Sequence, residues 1–225
     1  MPPSAPIPVP PAAAPELAVG VLDAAPLEYA AAPTLGFALE IATAGDVAVR
    51  SILLDVQLQI AARRRPYDER EQTTLFELFG APRDWGTTLR TLLWARSTLV
   101  VPPFTGRTVV DLPIVCSYDL DVAASRYFDA LAGGDVPLEL LFSGTIFYGG
   151  PGGGLQAARI PWDLEAEYRL PVAVWRAALD RHFPGTAWLR LGREAFDALK
   201  TYRSQHGHIT WDAAVAELLT HADEG

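Results

Sequence analysis

The sequence predicts an α+β fold in which an antiparallel β-sheet or sandwich-like domain precedes a small helical C-terminal module of one strand and two helices. Residues 52–60 alternate apolar and polar side chains, as a strand does, and further strand-like segments follow up to about residue 170. Beyond Pro171 the apolar residues recur with the helical period. The predicted divisions are a leader over 1–34, a β-rich domain with short helices over 35–170, and the helical module over 171–225.

The leader is rich in proline and alanine. Residues 1–33 contain nine of the 19 prolines. Because proline removes a backbone donor and restricts φ, this composition predicts an extended or disordered segment that can lie on a partner. The first strand is expected in LGFALEIAT, residues 35–43, followed by a turn at Gly45-Asp46.

The clearest strand lies in SILLDVQLQIAA, where apolar residues occupy positions 52, 54, 56, 58 and 60. This period of two predicts a half-buried antiparallel strand with one face in the core.

An arginine triplet, Arg63, Arg64 and Arg65, follows this strand within RRRPYDERE. Asp68 and Glu71 have the spacing of a helix N-cap with a residue that reaches back to it, so a helix is predicted from there to about Phe79. The triplet is a candidate interaction site, either as an anion-binding finger or as a strand end paired with nearby carboxylates. We favour the second interpretation.

Two further strands are predicted in TLLWARSTLVVPPF and TVVDLPIVCSYDLDV, and a short helix in ASRYFDALAGG. Five glycines then fall within residues 149–154. A phosphate-binding loop would lead into a helix and usually carries a lysine, whereas this run is followed by a strand-like segment without one. The run therefore predicts a hairpin loop.

The C-terminal segment changes character. Pro171 precedes an apolar stripe typical of a helix, TAWLRL predicts a short strand, and GREAFDALKTYRSQH predicts a second helix. Thr210 is expected to cap a last helix whose apolar residues fit the helical period closely.

Catalytic and cofactor motifs do not stand out. Cys116 lies within a strand pattern far from any histidine in sequence, which favours a buried thiol over a nucleophile. His206, His208 and His221, with Asp212 nearby, are candidate metal ligands, although we favour a helix-terminal role for His206. No catalytic residue, cofactor or metal is predicted.

The charge balance bears on partners and compartment. The net charge is −9, no long segment is basic, and 17 of the 18 basic residues are arginine. This disfavours general binding to nucleic acid or anionic lipid. A single cysteine, no apolar run of about 20 residues and no basic N-terminal start lead us to expect a cytoplasmic protein without a membrane span.

The segment from TAWLRL to TWDAAVAELL, about residues 186–221, resembles the ribbon-helix-helix pattern, in which a strand and two helices form an intertwined dimer. The resemblance implies a homodimer through the C-terminal module and places the candidate groove-reading residues at Trp188 and Arg190. A DNA-binding regulator is therefore one alternative function.

From about Ile52, stretches such as ILLDVQLQIAARRRPYDERE and LPVAVWRAALDRHFPGTAWLRL resemble an uncharacterised actinobacterial family that is often encoded near uptake nickel–iron hydrogenase genes. The resemblance assigns no catalytic residues. With the missing motifs and the leader, it implies a non-catalytic accessory or interaction protein with a protein partner, which assists a hydrogenase or another metalloenzyme complex. An enzyme whose site is assembled from distant strand ends is the other alternative.

Overall fold

The computed structural model describes residues 14–45, 47–117, 119, 122–150, 154–186 and 191–223. The chain divides into two compact units, Met1–Ala187 and Trp188–Gly225. In their described parts, the first contains two antiparallel sheets and several helices, and the second contains two helices, so the predicted α+β class is confirmed.

The smaller sheet of the first unit has three strands in the order β1-β2-β6. These strands are β1 (Leu17–Pro26), β2 (Thr34–Thr43) and β6 (Arg107–Val115). β1 falls within the predicted leader, but it is hydrogen-bonded to β2 from Leu17 opposite Thr43 to Pro26 opposite Leu35. The sheet therefore begins at Leu17 rather than near Leu35.

The larger sheet is built around two long strands. β3 (Ala48–Ile60) pairs with β7 (Asp135–Gly149) on one side and with β4 (Leu92–Val101) and the short β5 (Phe104–Thr105) on the other. The two halves of β7 then pair with different strands, β9 (Glu165–Pro171) and β8 (Leu155–Arg159). All these pairings are antiparallel.

Both sheets face one core. The alternating apolar positions of β3 and β7 contribute buried side chains such as Ile52, Leu58 and Leu140, and β2 contributes Phe37 and Leu39. At the edges, β1 approaches β9, and β6 approaches β4. The arrangement is thus a sandwich whose two sheets also come together at their sides, as the sequence analysis expected of this domain.

Short helices cover one end of this core. They are α1 (Glu69–Thr74), α2 (Phe76–Phe79), α3 (Trp85–Thr88) and α4 (Ala123–Ala130). The predicted helix from Asp68 to Phe79 is interrupted at Leu75 and ends at Gly80, which takes a positive φ of 72°. Glycine adopts this conformation without steric cost, so the predicted stop is explained.

The helix after Pro171 belongs to the first unit. In α5 (Val172–His182), Val172, Trp175 and Leu179 are buried, and the Trp175 ring stacks on Phe128 of α4 with centroids 5.0 Å apart. The sequence analysis grouped this helix with the C-terminal module. Its apolar stripe packs into the sandwich core instead, so the structure places the division near residue 187.

The glycine run lies between β7 and β8. Gly149 is paired with Leu155, and the Gly150 amide donates to the Gly154 carbonyl at 2.8 Å, as in a hairpin. Residues 151–153 of the run lie outside the described part of the chain.

The second unit consists, in its described part, of α6 (Arg193–Gln205) and α7 (Trp211–Asp223). The Ala213 amide donates to the Thr210 hydroxyl at 3.2 Å, so the predicted cap of the last helix is present. Most of the predicted strand TAWLRL lies outside the described residues. Across the described ranges of both units, no helix is both long and apolar enough to cross a membrane.

Candidate functional site

The arginine triplet is engaged within the first unit. Arg63 donates to the backbone carbonyls of Leu89 and Gly86. The exposed Arg64 side chain forms ion pairs with Glu139 at 2.8 Å and Glu167 at 2.6 Å. Arg64 is thus paired with nearby carboxylates, while Arg63 and Arg64 both stay exposed to solvent. The role of the triplet as an interaction site stays a prediction.

Arg65 takes part in a buried ion pair with Glu71. The two side chains are 9% and 5% exposed, and the guanidinium donates to both carboxylate oxygens at 2.9 and 3.0 Å. It also donates to the carbonyls of Gly133 and Asp135. The pair therefore ties the segment before α1 to the loop between α4 and β7.

The Glu71 carboxylate accepts two further bonds, from the amides of Ala132 at 2.9 Å and Asp68 at 3.3 Å. The second completes the capping box that the sequence spacing of Asp68 and Glu71 predicts. Desolvation raises the pKa of Glu71, but these donors and the Arg65 charge outweigh it, so the pKa lies below its ordinary value. Glu71 is thus ionised and structural, with its acceptor positions occupied.

Two tyrosines beside this pair form a second buried polar contact. The hydroxyl oxygens of Tyr67 and Tyr127 are 2.8 Å apart, and Tyr67 donates to the Ala62 carbonyl at 2.7 Å. Burial is the main cause of the raised pKa of Tyr127. Both hydroxyls have partners, so this contact also serves the packing of the helical end.

The first unit carries an open groove with a volume of about 860 Å³. It lies along α1, α2 and α4, and its rim includes Glu69, Glu77 and Asp129, with Arg126 paired to Glu77 at 3.3 Å. Such an open groove differs from the enclosed pockets that usually hold small molecules.

The second unit presents an unusual apolar surface. Ala214 is the single buried residue among residues 191–222. Several large apolar side chains of α6 and α7 are exposed, and we call them the apolar face: Phe196, Trp211, Val215, Leu218 and Leu219. Leu219 is 62% exposed. Two helices with this face uncovered have almost no core of their own.

Aromatic contacts organise part of the apolar face. The Phe196 and Trp211 rings lie 5.6 Å apart, and the Arg203 guanidinium sits 3.9 Å above the Trp211 ring. A cation placed over an indole in this way is attracted by the ring, which holds α6 against the start of α7.

The structure brings two of the three candidate metal-binding histidines together. His206 and His208 both approach Glu217 of α7: His206 Nδ1 lies 3.4 Å from one carboxylate oxygen and His208 Nε2 contacts the other. The His221 and Asp212 side chains are not part of this group. The sequence analysis missed Glu217, although its position one helical turn before His221 is a signal that could have found it.

Trp188 and Arg190, the candidate groove-reading residues, lie outside the described part of the chain. Their assigned role stays a prediction.

Comparison with known proteins decides the family. A family model described as a family of unknown function, DUF6084, matches residues 14–225. The chain belongs to this family. A search of the curated proteins finds no match.

Two solved structures show weak similarity. The putative ApaA protein from Bordetella pertussis is 12% identical, with 69% of this chain and 93% of that chain covered and a TM-score of 0.23. A beta-glucosidase from Kluyveromyces marxianus is 10% identical, with 69% of this chain and 15% of that chain covered and a TM-score of 0.24. Scores this low carry no argument about this protein. Membership of a family of unknown function agrees with the expected resemblance to an uncharacterised family. The actinobacterial origin, the hydrogenase gene neighbourhood and the ribbon-helix-helix likeness stay predictions.

Proposed function

We propose that the protein is a non-catalytic accessory or interaction protein that contacts a protein partner through the apolar face of its second unit. The observation that carries this proposal is that α6 and α7 bury little beyond Ala214 while several large apolar side chains stay exposed. Segments below about 40 residues rarely hold a fold without help from a metal, a disulfide or a partner chain. A partner that covers the apolar face would supply the missing burial.

The charge of the second unit favours a protein over a nucleic acid. Residues 188–225 carry four basic and six acidic side chains, so the unit has a net charge of −2. Binding to phosphates depends on a surplus of lysine and arginine, which this unit lacks. A second copy of the chain, joined as in the ribbon-helix-helix pattern, is one protein that could cover the face.

The identity of the partner is suggested by the sequence resemblance to a family encoded near uptake nickel–iron hydrogenase genes. This resemblance supports a hydrogenase or another metalloenzyme complex as the assembly that this protein assists. We propose that it does so in the cytoplasm.

The test is affinity purification of the tagged full-length protein from its native host at physiological salt, with mass spectrometry of co-eluting proteins. The variant is Val215→Glu with Leu219→Glu, which places two charges on the apolar face. The matched control is Trp162→Ser, which removes an apolar side chain that is 91% exposed on the first unit. Light scattering of the purified protein measures self-association in parallel.

A stoichiometric partner, or a homodimer, that is lost in the double variant and kept in the control supports the proposal. Deletion of residues 1–13 tests the leader without removing β1, which begins at Leu17. The proposal is wrong if the double variant keeps every interaction, or if the protein turns over a substrate and one side-chain change abolishes that turnover.

A further inference from the structure

We propose that His206, His208 and Glu217 form a binding site for a divalent first-row transition metal ion at the junction of α6 and α7. This inference goes beyond the proposed interaction role, because the site would lie within the second unit whatever partner covers the apolar face. His206 ends α6, His208 lies in the turn that follows, and Glu217 projects from α7. Three ligands from both sides of one turn are thereby brought together.

The distances suit a single ion. The two imidazole nitrogens and the carboxylate oxygen lie within 4.8 Å of one another. A tetrahedral ion about 2.1 Å from each ligand holds its ligands roughly 3.4 Å apart, so small side-chain rotations would bring all three into range. The nitrogens that face the carboxylate are Nδ1 of His206 and Nε2 of His208.

The rings are held in place by stacking. The Tyr202 ring lies 4.1 Å from that of His206, with the planes inclined by 21°, and the two imidazoles are nearly parallel at 6.1 Å. The Tyr202 hydroxyl oxygen is buried beside the Glu217 carboxylate. A buried hydroxyl next to the ligands is the kind of outer group that orients metal sites.

The ligand set selects the class of ion. Two imidazoles with one carboxylate suit zinc and neighbouring transition metals, whereas calcium and magnesium prefer oxygen ligands alone. His206 is exposed and His208 and Glu217 are partly exposed, so an ion can enter from solvent.

A fourth candidate ligand, outside this group of three, lies on the same helix. His221 follows Glu217 by four residues on α7, and residues with this spacing share a helix face. His221 or a water molecule would complete the coordination.

The site also fits the sparse core of the second unit. A metal that joins the end of α6 to the middle of α7 would hold the two helices together where apolar burial does not. Bound metal should therefore protect the segment from proteolysis, which is a readout that does not depend on any activity.

Isothermal titration of the full-length protein with Zn²⁺, after removal of any affinity tag, tests the proposal. One ion should bind per chain. Each of the variants His206→Gln, His208→Gln and Glu217→Gln should weaken binding by at least about 10-fold, because loss of a group that only orients a ligand already costs about that much. The controls are Glu194→Gln and Asp212→Asn, which change exposed carboxylates on the same two helices. Both should bind as the unchanged protein does.

Two further measurements keep the test decisive. Trypsin should cleave the second unit more slowly with Zn²⁺ present, but at the same rate with Mg²⁺. His208→Cys should keep the site and give a sulfur-to-metal charge-transfer band with Co²⁺. No such band would appear if residue 208 did not bind the metal. The proposal is overturned if Zn²⁺ does not bind, or if it binds equally well in all three ligand variants.

Discussion

Replacing Glu71 with glutamine should strongly destabilise the first unit. The side chain keeps its size but loses its charge, while the Arg65 guanidinium stays 9% exposed beneath it. An amide also has one acceptor oxygen in place of two. Some of the four donors that now meet the carboxylate, from Arg65, Ala132 and Asp68, would face an NH₂ group instead.

The expected loss follows from leaving a buried charge unpaired. Removing one partner of a buried ion pair typically costs about 3–5 kcal/mol of unfolding free energy. In a unit of this size, each kcal/mol of unfolding free energy that is lost lowers the melting temperature by about 2–4 °C. The melting temperature of the variant is therefore expected to fall by roughly 6–20 °C. Glu167→Gln, which removes the exposed partner of Arg64, is the matched control and should shift the melting temperature little.

The same pair predicts a pH dependence. The pKa of Glu71 is lower in the folded than in the unfolded chain. The ionised carboxylate therefore contributes its full share of the unfolding free energy above the unfolded pKa of about 4.3, and this share is lost as the pH falls through the folded pKa. The difference in stability between the unchanged protein and Glu71→Gln should therefore be largest near neutral pH and should narrow in acid.

Urea unfolding, followed by circular dichroism at several pH values, measures both effects. A double variant, Arg65→Met with Glu71→Leu, should lose less than the sum of the two single variants, because no charge is left unpaired. A loss below about 1 kcal/mol in Glu71→Gln at pH 7 would refute the reasoning, since that is the range of solvent-exposed pairs.

Three further substitutions or reactions test the core. Gly144→Ala should prevent stable folding, because an added Cβ would lie 2.0 Å from the Leu53 carbonyl oxygen and the residue has a φ of 133°. The control Gly20→Ala, whose added Cβ meets no atom within 4 Å, should fold normally. Soluble yield and circular dichroism compare the two variants. Trp175→Ala should lower the unfolding free energy by about 3–5 kcal/mol in urea, because it empties the stack between α5 and α4. Cys116 is buried, and its pKa is raised to about 12 mainly by desolvation, so it should react with a thiol reagent at pH 8 only after denaturation. Fast labelling of the folded protein would contradict that burial.

Local features were predictable where neighbouring residues decide them. The alternation in residues 52–60 identified β3, the spacing of Asp68 and Glu71 identified the capping box, and Thr210 was identified as the cap of α7. In each case the interacting groups are a few residues apart, so backbone geometry alone brings them together.

Sheet membership was not predictable from the same patterns. β4 and β6 follow each other closely in the chain, yet they belong to different sheets, and β1 joins β2 from within a proline-rich segment. A period of two tells which residues share a face of a strand, but not which strand lies beside it.

The sequence by itself determined the α+β class and the main strands and helices. Only the tertiary structure decided that Arg65 pairs with Glu71 and reaches the loop before β7, that α5 packs on the sandwich, and that Glu217 meets His206 and His208. Short-range preferences are encoded residue by residue, because they depend on neighbours along the chain. These contacts join positions up to tens of residues apart and depend on how whole faces fit together.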